Sequence, residues 1–329
     1  MPRRIAFLFP GQGSQYVGMG KDLFDRYQQV KEIFQYVDDL CKRPISTYCF
    51  EGPLDDLTLT VNLQPAITAV NLACMTALRQ AGLTPSVSAG HSLGEYAALA
   101  SAGVVSPFDA LTLVNKRGEL MHRESLANPG KMAAIIGMDI SEVEEIVKAA
   151  GGKGVLSVAN HNTAEQIVIS GQAVPLEAAL EMVKKRGKKA IPLKVSGAWH
   201  CALMNQAVTE FRRFMEDVPF RQPEIPLFFN ATAQTEADAA AIKDLMAQQL
   251  VSPVRWYDII STLVEQGVDT FVEVGPKTVL SGLCKKIIPS EGDIRVANVQ
   301  DTKTLDRFLE GLPQHPQPDQ SASHYITTH

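Results

Sequence analysis

The sequence predicts an α/β protein in which a domain with a parallel sheet is interrupted by a smaller, inserted subdomain. Short, continuous apolar runs such as Ile5–Phe9 alternate with longer helical stretches, as is typical of parallel strands buried on both faces. Between residues 129 and 196 the order becomes strand, helix, strand, strand, helix, strand, which is the ferredoxin-like order. A sharp turn from a strand into a helix at residues 90–94 also indicates the α/β class.

We expect the large domain to be discontinuous, over residues 1–128 and 197–312, with the small subdomain over residues 129–196. Residues 313–329 are rich in Pro, Gln, Ser and His, and we expect a disordered tail there. The predicted strands of the large domain are Ile5–Phe9, the run before Gly90, Pro226–Asn230, Thr270–Val274 and Ile294–Val299. Its predicted helices are Lys21–Val37, a stretch near Leu57, Gln64–Ala81, one from Pro107 to about Leu126, one beginning near Ala202, Ala239–Leu250, Val254–Gln266 and Lys277–Ile287.

The small subdomain shows the shorter spacing of an antiparallel α+β unit. Its predicted strands are Met132–Met138, Val155–His161, Gln166–Gly171 and Lys189–Ser196, and its predicted helices are Ser141–Ala150 and Pro175–Arg186. The run Lys184–Lys189 is the densest basic cluster of the chain. It is either a solvated helix end that the macrodipole favours or a site that docks an acidic protein.

Composition excludes several classes of function. The chain has 329 residues, is 45% hydrophobic and 20% charged, and carries a net charge of -5, so no basic surplus is available to neutralise nucleic-acid phosphates. No apolar run reaches the roughly 18–20 residues of a membrane span, and no secretory signal opens the chain. Five dispersed cysteines without C-x-x-C spacing favour reduced thiols over disulfides or zinc. We therefore expect a cytoplasmic protein without a metal, nucleic-acid or membrane partner.

The chain is organised around the segment Gly90-His91-Ser92-Leu93-Gly94. This G-x-S-x-G pattern, between a short strand and a helix, is that of a serine exposed at a sharp corner. A side chain at either glycine would crowd the corner. The free N–H groups of the first helical turn, including that of Leu93, lie where an oxygen that becomes negative could bind.

The loop after the first strand is a second candidate for a ligand-binding segment. Pro10–Gln15 contains two glycines, but it lacks both the G-x-G-x-x-G spacing and a G-K-[ST] ending, so we reject nucleotide binding. Gln12 stands at the carboxyl end of a strand, where open α/β sheets place ligands. It is therefore either a ligand-binding residue or a solvated loop residue.

An arginine falls on the apolar face of the helix that begins after Ser106. Ser106 with an acid three residues later is a capping signal, and Pro107 occupies the first helical position. Arg117 lies on the same stripe as the apolar residues Ala110, Leu113, Val114 and Met121. A guanidinium removed from water requires an anionic partner. That partner is either a carboxylate of the protein or a carboxylate of the ligand.

The serine needs a base, and His200 is the candidate that position favours. It lies in a glycine-preceded loop where the chain re-enters the large domain, whereas His315, His324 and His329 are in the tail. A thiol pair of Cys201 with His200 is a competing possibility, but adjacent residues rarely reach one another. We assign Cys201 a packing role.

Six ordered motifs carry a resemblance to the malonyl-CoA:acyl carrier protein transacylases, covering the chain from Arg4 to about Val299. The motifs are FPGQGSQ at Phe9–Gln15, GHSLGEY at Gly90–Tyr96, NKRGELM at Asn115–Met121, SGAWHCALM at Ser196–Met204, QLVSPVRW at Gln249–Trp256 and EVGP at Glu273–Pro276. The resemblance implies an α/β-hydrolase-like large subdomain with a ferredoxin-like insert. This sequence departs from the family pattern at Trp199 and Cys201.

The resemblance also implies a role for each site residue. Ser92 would be the nucleophile, and His200 its general base and acid. The N–H groups of Gln12 and Leu93 would form the oxyanion hole, and Arg117 would bind the malonyl carboxylate. The remaining implied residues are Gln249, whose carbonyl would orient His200, and Met121 and Trp199 in the acyl pocket.

The expected activity is malonyl transfer from malonyl-CoA to the phosphopantetheine thiol of acyl carrier protein, by a ping-pong route for fatty acid synthesis. No cofactor is implied, and we expect a monomer. A discrete acyltransferase of polyketide synthesis would share every site residue. A serine esterase or thioesterase would use the same serine corner but would not require Arg117, and a non-catalytic carrier-binding module would not require Ser92 with His200.

Overall fold

The first part of the chain supplies two strands and seven helices. The computed structural model describes residues 3–152, 154–290 and 292–312, so the predicted tail lies outside the described residues. The elements are β1 (Ile5–Phe9), α1 (Lys21–Arg26), α2 (Gln28–Cys41), α3 (Ile45–Phe50), α4 (Leu54–Thr58), α5 (Thr60–Gln80), β2 (Val87–Gly90), α6 (Gly94–Ser101) and α7 (Pro107–Ala127). Ser106 caps α7 through the capping box with Asp109, as the sequence predicts.

The second part forms a four-stranded antiparallel sheet in the order β4-β5-β3-β6, which is the ferredoxin-like order. Its elements are β3 (Lys131–Ile136), α8 (Ile140–Gly151), β4 (Leu156–Thr163), β5 (Gln166–Gly171), α9 (Ala173–Lys185) and β6 (Lys189–Pro192). Strand β6 ends earlier than predicted, because the chain leaves the sheet edge after Pro192 and continues along the cleft described below. We call this unit the small subdomain and the rest the large subdomain.

The two faces of the small sheet have different neighbours. Ala133 and Ile135 pack in a cluster with α8 and α9, whereas Met132 and Ala134 join the main core of the large subdomain. Successive residues of a strand point to opposite faces, so this alternation follows directly from the β3 sequence. One face of the small sheet therefore carries its own helices and the other is turned toward the large subdomain.

The third part completes the large subdomain. Its elements are α10 (Asn205–Phe214), β7 (Leu227–Phe228), α11 (Ala239–Gln248), α12 (Trp256–Glu265), β8 (Thr270–Val274), α13 (Val279–Ile287), β9 (Arg295–Val299) and α14 (Thr302–Glu310), with 3-10 turns at Ala202–Met204 and Met215–Asp217. Five strands pair in parallel in the order β7-β2-β1-β8-β9. The carboxyl ends of the strands meet at one edge, and the predicted serine corner and glutamine loop both start there.

Several helices differ from the sequence prediction. The predicted helix Lys21–Val37 is two helices, because Tyr27 adopts an extended backbone (φ −118°, ψ 123°) between α1 and α2. Helices α3 and α14 were not predicted. Helix α14 begins at a capping box between Asp301 and Thr304 and buries Leu305 and Phe308.

Helix α5 begins four residues before its predicted start and contains Pro65. The missing N–H of Pro65 leaves the Val61 carbonyl without its helical donor, and Arg43 Nη2 donates to that carbonyl instead (3.0 Å). By length and mean composition this helix could cross a membrane, but Asn62, Gln64, Asn71 and Arg79 interrupt it, so it is not an uninterrupted apolar run. Inside the protein 89% of the relevant window is buried, as in the core helix of a globular fold.

Candidate functional site

The serine corner has the geometry that its glycines predict. Ser92 has a positive φ of 51°, which few non-glycine residues adopt. A Cβ on Gly90 would lie 2.1 Å from the Gly94 carbonyl carbon, and a Cβ on Gly94 would lie 1.9 Å from the Phe9 oxygen. Both glycines are therefore required by close backbone approach, and the strain at Ser92 is held by the packing around it.

The loop after β1 lies directly against this corner. A Cβ on Gly11 would be 2.5 Å from the His91 oxygen and 3.4 Å from the Leu93 nitrogen. Within the described residues, the backbone N–H groups of Gln12 and Leu93 donate to no protein acceptor. Both residues line the same cleft as Ser92. The structure thus brings together the two residues that the resemblance nominates as oxyanion donors.

His200 reaches the serine with the correct nitrogen. Its Nε2 lies 2.8 Å from Ser92 Oγ, and its Nδ1 lies 2.9 Å from the Gln249 carbonyl oxygen and 3.0 Å from that of Ser252. Two carbonyl acceptors require a proton on Nδ1, so the lone pair on Nε2 faces the serine hydroxyl. The imidazole is oriented by main-chain oxygens rather than by a carboxylate.

The environment keeps His200 neutral. Burial, followed by the charge of Arg117, lowers the pKa of His200 to about 3, although the hydrogen bond to the Gln249 carbonyl oxygen opposes this shift. His200 is 4% exposed. At neutral pH the imidazole is therefore unprotonated and able to accept the serine proton.

Arg117 is a buried cation that pairs with no carboxylate of the described residues. It is 1% exposed, and within the described residues no carboxylate oxygen lies within 4.0 Å of its guanidinium. Its Nη1 donates to Gln64 Oε1 (2.9 Å), and its Nη2 donates to Gln249 Oε1 (3.0 Å) and to Ser92 Oγ (3.2 Å). Its buried Nε has no partner among the described residues. Of the two partners that the sequence left open, the geometry favours a carboxylate of the ligand.

Several polar residues of the site were missed by the sequence analysis. Asn230 Oδ1 accepts from the Ser92 N–H (2.7 Å), and its Nδ2 donates to the Gly90 oxygen (2.7 Å). Asn230 follows β7 at the carboxyl edge of the sheet, and this position was the available signal. Glu95 is buried directly behind the corner, and Gln64 Nε2 contacts Met121 Sδ at 3.2 Å.

The small subdomain is tied to the segment that orients His200. His161 N–H donates to the Val254 oxygen (2.9 Å), and Val254 N–H donates to the Ala159 oxygen (2.8 Å). His91 Nε2 lies 2.8 Å from Asn162 Oδ1. These contacts hold strand β4 beside the chain segment that follows Gln249.

A cleft of about 110 Å³ lies between the subdomains, over Ser92. It is lined by Gln12, Gln64, His91, Ser92, Leu93, Arg117, Met121, Met132, Asn160, Leu193, Val195, Trp199 and His200. An outer cavity of about 300 Å³ shares Gln12 and Val195 with it. Cys201 is buried and donates to the Ala198 oxygen (3.3 Å), so it lies outside the reacting groups. Among the described residues no cluster of His, Cys, Asp or Glu could hold a metal ion.

Comparisons with known proteins agree with this arrangement. The model of the acyl transferase domain family matches residues 6–312. A malonyl CoA-acyl carrier protein transacylase of Bacillus subtilis is 40% identical over 313 residues, which are 94% of this chain and 98% of the relative. The chain belongs to the malonyl-CoA:acyl carrier protein transacylase family. The resemblance drawn from the six motifs is thereby confirmed, as is the assignment as an acyltransferase.

Solved structures of transacylases share the fold. An acyl carrier protein S-malonyltransferase from Vibrio cholerae has a TM-score of 0.88 at 38% identity, over 93% of this chain and 99% of its own. A malonyl-transacylase in complex with its type II PKS acyl-carrier protein has a TM-score of 0.88 at 36% identity, over 93% of this chain and 99% of its own. The predicted α/β fold with a ferredoxin-like small subdomain is confirmed.

Proposed function

We propose that the protein transfers a malonyl group from malonyl-CoA to the phosphopantetheine thiol of an acyl carrier protein, through a malonyl ester on Ser92. One observation supports malonyl as the transferred acyl group. The buried Arg117 guanidinium, which has no carboxylate of the described residues within 4.0 Å, donates to Ser92 Oγ at 3.2 Å. An acyl group on that oxygen places its free carboxylate within reach of the guanidinium. The names of the most similar relatives support the same choice.

The first half-reaction begins with proton transfer from Ser92 Oγ to His200 Nε2. The oxygen attacks the thioester carbonyl, and the N–H groups of Gln12 and Leu93 donate to the resulting oxyanion. Removing one such donor costs about 10²- to 10³-fold in rate. When the tetrahedral intermediate collapses, the carbon–sulfur bond breaks and the His200 imidazolium gives its proton to the leaving thiolate. Because burial keeps the pKa of His200 low, the imidazolium is a strong acid toward sulfur.

The second half-reaction repeats these steps with a different thiol. The phosphopantetheine thiol of the carrier gives its proton to His200 Nε2, and its sulfur attacks the serine ester. Collapse of the second intermediate returns the proton to Ser92 Oγ. A thioester is exchanged for a thioester, so the reaction is nearly balanced in energy and a covalent intermediate gives a natural ping-pong route.

Arg117 provides the selectivity in this proposal. A malonyl carboxylate would accept hydrogen bonds from the guanidinium inside a closed cleft, where charged hydrogen bonds are strong. An acetyl group offers no such acceptor and leaves the guanidinium without an anion in direct contact. Sites built around a polar substrate group reject analogues that lack it by large factors. Met121 and Trp199 line the same cleft and would enclose the acyl chain.

The carrier partner and the pathway are also proposals. We infer a fatty acid carrier protein, with Lys184 and Lys185 at the exposed end of α9 as contacts for its acidic surface. The relative in complex with a type II PKS acyl-carrier protein favours a polyketide carrier as the alternative. We propose further that the enzyme needs no cofactor and acts as a monomer in the cytoplasm, and five free, buried cysteines support that compartment.

Intact-protein mass spectrometry tests the proposal. The protein is mixed with malonyl-CoA, acetyl-CoA or methylmalonyl-CoA, and then with holo acyl carrier protein. We expect one malonyl adduct on the wild type and none on Ser92→Ala, followed by transfer of the adduct to the carrier. Malonylated Ser92→Ala protein would refute the nucleophile assignment. Release of free malonate in preference to carrier loading would favour a hydrolase instead.

A further inference from the structure

A buried carboxylate lies beside Ser92 and takes no part in the mechanism above. Glu95 is in the first turn of α6 and is 1% exposed. Its Oε2 accepts from Gln249 Nε2 (2.6 Å), and its Oε1 accepts from the Asn230 N–H (3.1 Å). Within the described residues no cationic nitrogen lies within 4.0 Å of it. Glu95 therefore contacts both amide residues that hold the backbone of Ser92.

The Gln249 side chain connects this carboxylate to Arg117. Its Nε2 donates to Glu95 Oε2 and also to the Ser92 carbonyl oxygen (3.0 Å). Its Oε1 accepts from Arg117 Nη2 (3.0 Å). One planar amide thus stands between a buried anion and a buried cation, with its donor end on the anion and its acceptor end on the cation.

An acceptor-only partner determines which way this amide points. A carboxylate can only accept and a guanidinium can only donate, so one orientation of Gln249 satisfies both. In the reversed orientation its Oε1 would face the Glu95 carboxylate and its Nε2 would face the Arg117 guanidinium. Neither contact would then be a hydrogen bond. In a buried region of low dielectric, such unpaired polar groups raise the free energy of the folded state.

We propose that Glu95 is a positioning residue that fixes the Gln249 amide, holds Arg117 in place through it, and thereby sets the preference for malonyl over acetyl groups. This inference rests on the proposed function, because it assumes that Arg117 binds the malonyl carboxylate. Glu95 touches neither acyl group nor thiol. Its removal should affect selectivity more than the proton transfers at His200.

The charge of Glu95 is sensitive to pH near neutrality. Burial raises the pKa of Glu95 to about 7, although hydrogen bonds from Gln249 and Asn230 and the charge of Arg117 lower it. The elements packed against α6 are β1, β2, α5 and α7, and Arg117 on α7 is the charged group among them that acts on Glu95. Burial raises the pKa of Tyr96 on the same helix and lowers the pKa of His200 to about 3. Neither group changes charge near pH 7.

A protonated Glu95 specifies the amide orientation less strongly, because its O–H can donate to Gln249 Oε1 and only Arg117 and the Ser92 carbonyl oxygen then require the observed orientation. We therefore expect the malonyl preference of the wild type to fall as the pH falls through about 7. The phosphates of coenzyme A titrate equally in both substrates, so their effect cancels in the ratio of the two kcat/KM values. That ratio is the quantity to measure.

The main test compares Glu95→Gln with the wild type. A glutamine at position 95 can present either a donor or an acceptor to Gln249, so the negative charge that favours the observed orientation is lost and only Arg117 and the Ser92 carbonyl oxygen still specify it. We expect the malonyl-to-acetyl ratio of kcat/KM to fall by about tenfold or more, since a hydrogen bond to a charged group is lost. The ratio should also become independent of pH. Glu95→Asp keeps an acceptor-only head and should retain more of the ratio than Glu95→Gln.

Glu273→Gln is the matched control. Glu273 is also buried, burial raises its pKa to about 7 as well, and it accepts from the N–H groups of Leu280 and Ser281 at the start of α13. It makes no hydrogen bond to Ser92, Arg117 or Gln249. The ratio of this variant should equal that of the wild type. Melting temperatures of all variants report whether each has folded.

The outcomes separate this inference from the proposed function. A wild type that malonyl-CoA does not acylate refutes the proposed function. A folded Glu95→Gln that keeps the wild-type ratio overturns only the role of Glu95, and so does an equal loss in Glu273→Gln. If Glu95→Gln does not fold, the pH profile of the wild type decides, and a ratio that stays flat between about pH 6 and 8.5 overturns the inference.

Discussion

The large subdomain surrounds Ser92 with hydrogen-bonding side chains, whereas the small subdomain faces the same cleft with mostly apolar ones. His200, Arg117 and Gln64 all come from the large subdomain and all line the cleft. The small subdomain contributes Met132, Asn160, Leu193 and Val195. Within the described cleft, every group that contacts the serine hydroxyl belongs to the large subdomain.

This difference follows from how the two sheets are built. The parallel sheet is covered on both faces, so its carboxyl edge is rigid and can hold reacting groups at fixed distances. The small sheet presents one apolar face toward the large subdomain, with Met132 and Ala134 among its residues. Chemistry therefore depends on the large subdomain, and the small subdomain is expected to shape the cleft and meet the carrier. Substitutions on either side test this division.

The largest effect is expected from His200→Ala. Without a base, acylation of Ser92 by malonyl-CoA should slow by about 10⁴-fold or more in single-turnover measurements. At saturating acetyl-CoA, the single-turnover acylation rate of the wild type should stay flat down to about pH 5, because the pKa of His200 is lowered to about 3 and the base stays neutral above it. An acylation rate within tenfold of the wild type would remove His200 from the reaction.

Arg117→Ala should separate selectivity from chemistry. We expect kcat/KM for malonyl-CoA to fall by about 10²- to 10³-fold, as when one partner of a buried charged pair is truncated. Acetyl transfer should gain relative to malonyl transfer. Lys116→Ala is the control on the same helix, since Lys116 pairs with Glu210 away from the cleft. Unchanged acyl preferences in Arg117→Ala would exclude Arg117 from the acyl site.

Trp199 should limit the size of the acyl chain. Its indole is 5% exposed and lines the cleft, so an α-methyl branch would meet it. Trp199→Phe should raise methylmalonyl transfer relative to malonyl transfer by about tenfold, the usual scale for one methyl group in a pocket. Trp256→Phe alters the other tryptophan, which does not line the cleft, and should leave the ratio of methylmalonyl to malonyl transfer unchanged. Efficient methylmalonyl transfer by the wild type would contradict this role.

Local signals made much of the fold predictable. The capping box at Ser106 and Asp109 needs only four residues, and it was found where it was predicted. The break at Tyr27 was not predictable, because no glycine or proline marks it and the change of direction follows from packing. Helix α14 did carry a signal in Asp301 and Thr304, but nine residues are too few for periodicity to stand out.

The site was less accessible to sequence reasoning than the fold. Ser92 carries a local motif, but the pairing with His200 joins residues 108 positions apart, and the sequence indicated it only through the loop position of His200 and the resemblance. The positions of Glu95 and Asn230 depend on contacts across 135 residues. Such contacts depend on the whole sheet being formed, so no window of sequence contains them. For Asn230, the one available sequence signal was its position at the end of a predicted strand, where open α/β sheets place ligand-binding residues.

The smallest effect is expected on the small subdomain. Lys184 and Lys185 lie exposed in the last turn of α9, next to Lys188 and Lys189. Charge reversal at the first two, Lys184→Glu with Lys185→Glu, should raise the KM for acyl carrier protein by about 3- to 10-fold, the scale of exposed ion pairs. The KM for malonyl-CoA should not change, because the first half-reaction does not involve the carrier.

A second pair of lysines, on the large subdomain, is the control for this charge reversal. Lys285 and Lys286 are also exposed and also end a helix, α13. Their reversal to glutamate changes the net charge by the same amount, so a general repulsion of the acidic carrier would appear in both variants. A rise in carrier KM confined to Lys184 and Lys185 therefore indicates a local docking surface. If both lysine pairs raise the carrier KM equally, or if reversal at Lys184 and Lys185 slows malonylation of Ser92, the small subdomain is not a separate docking surface.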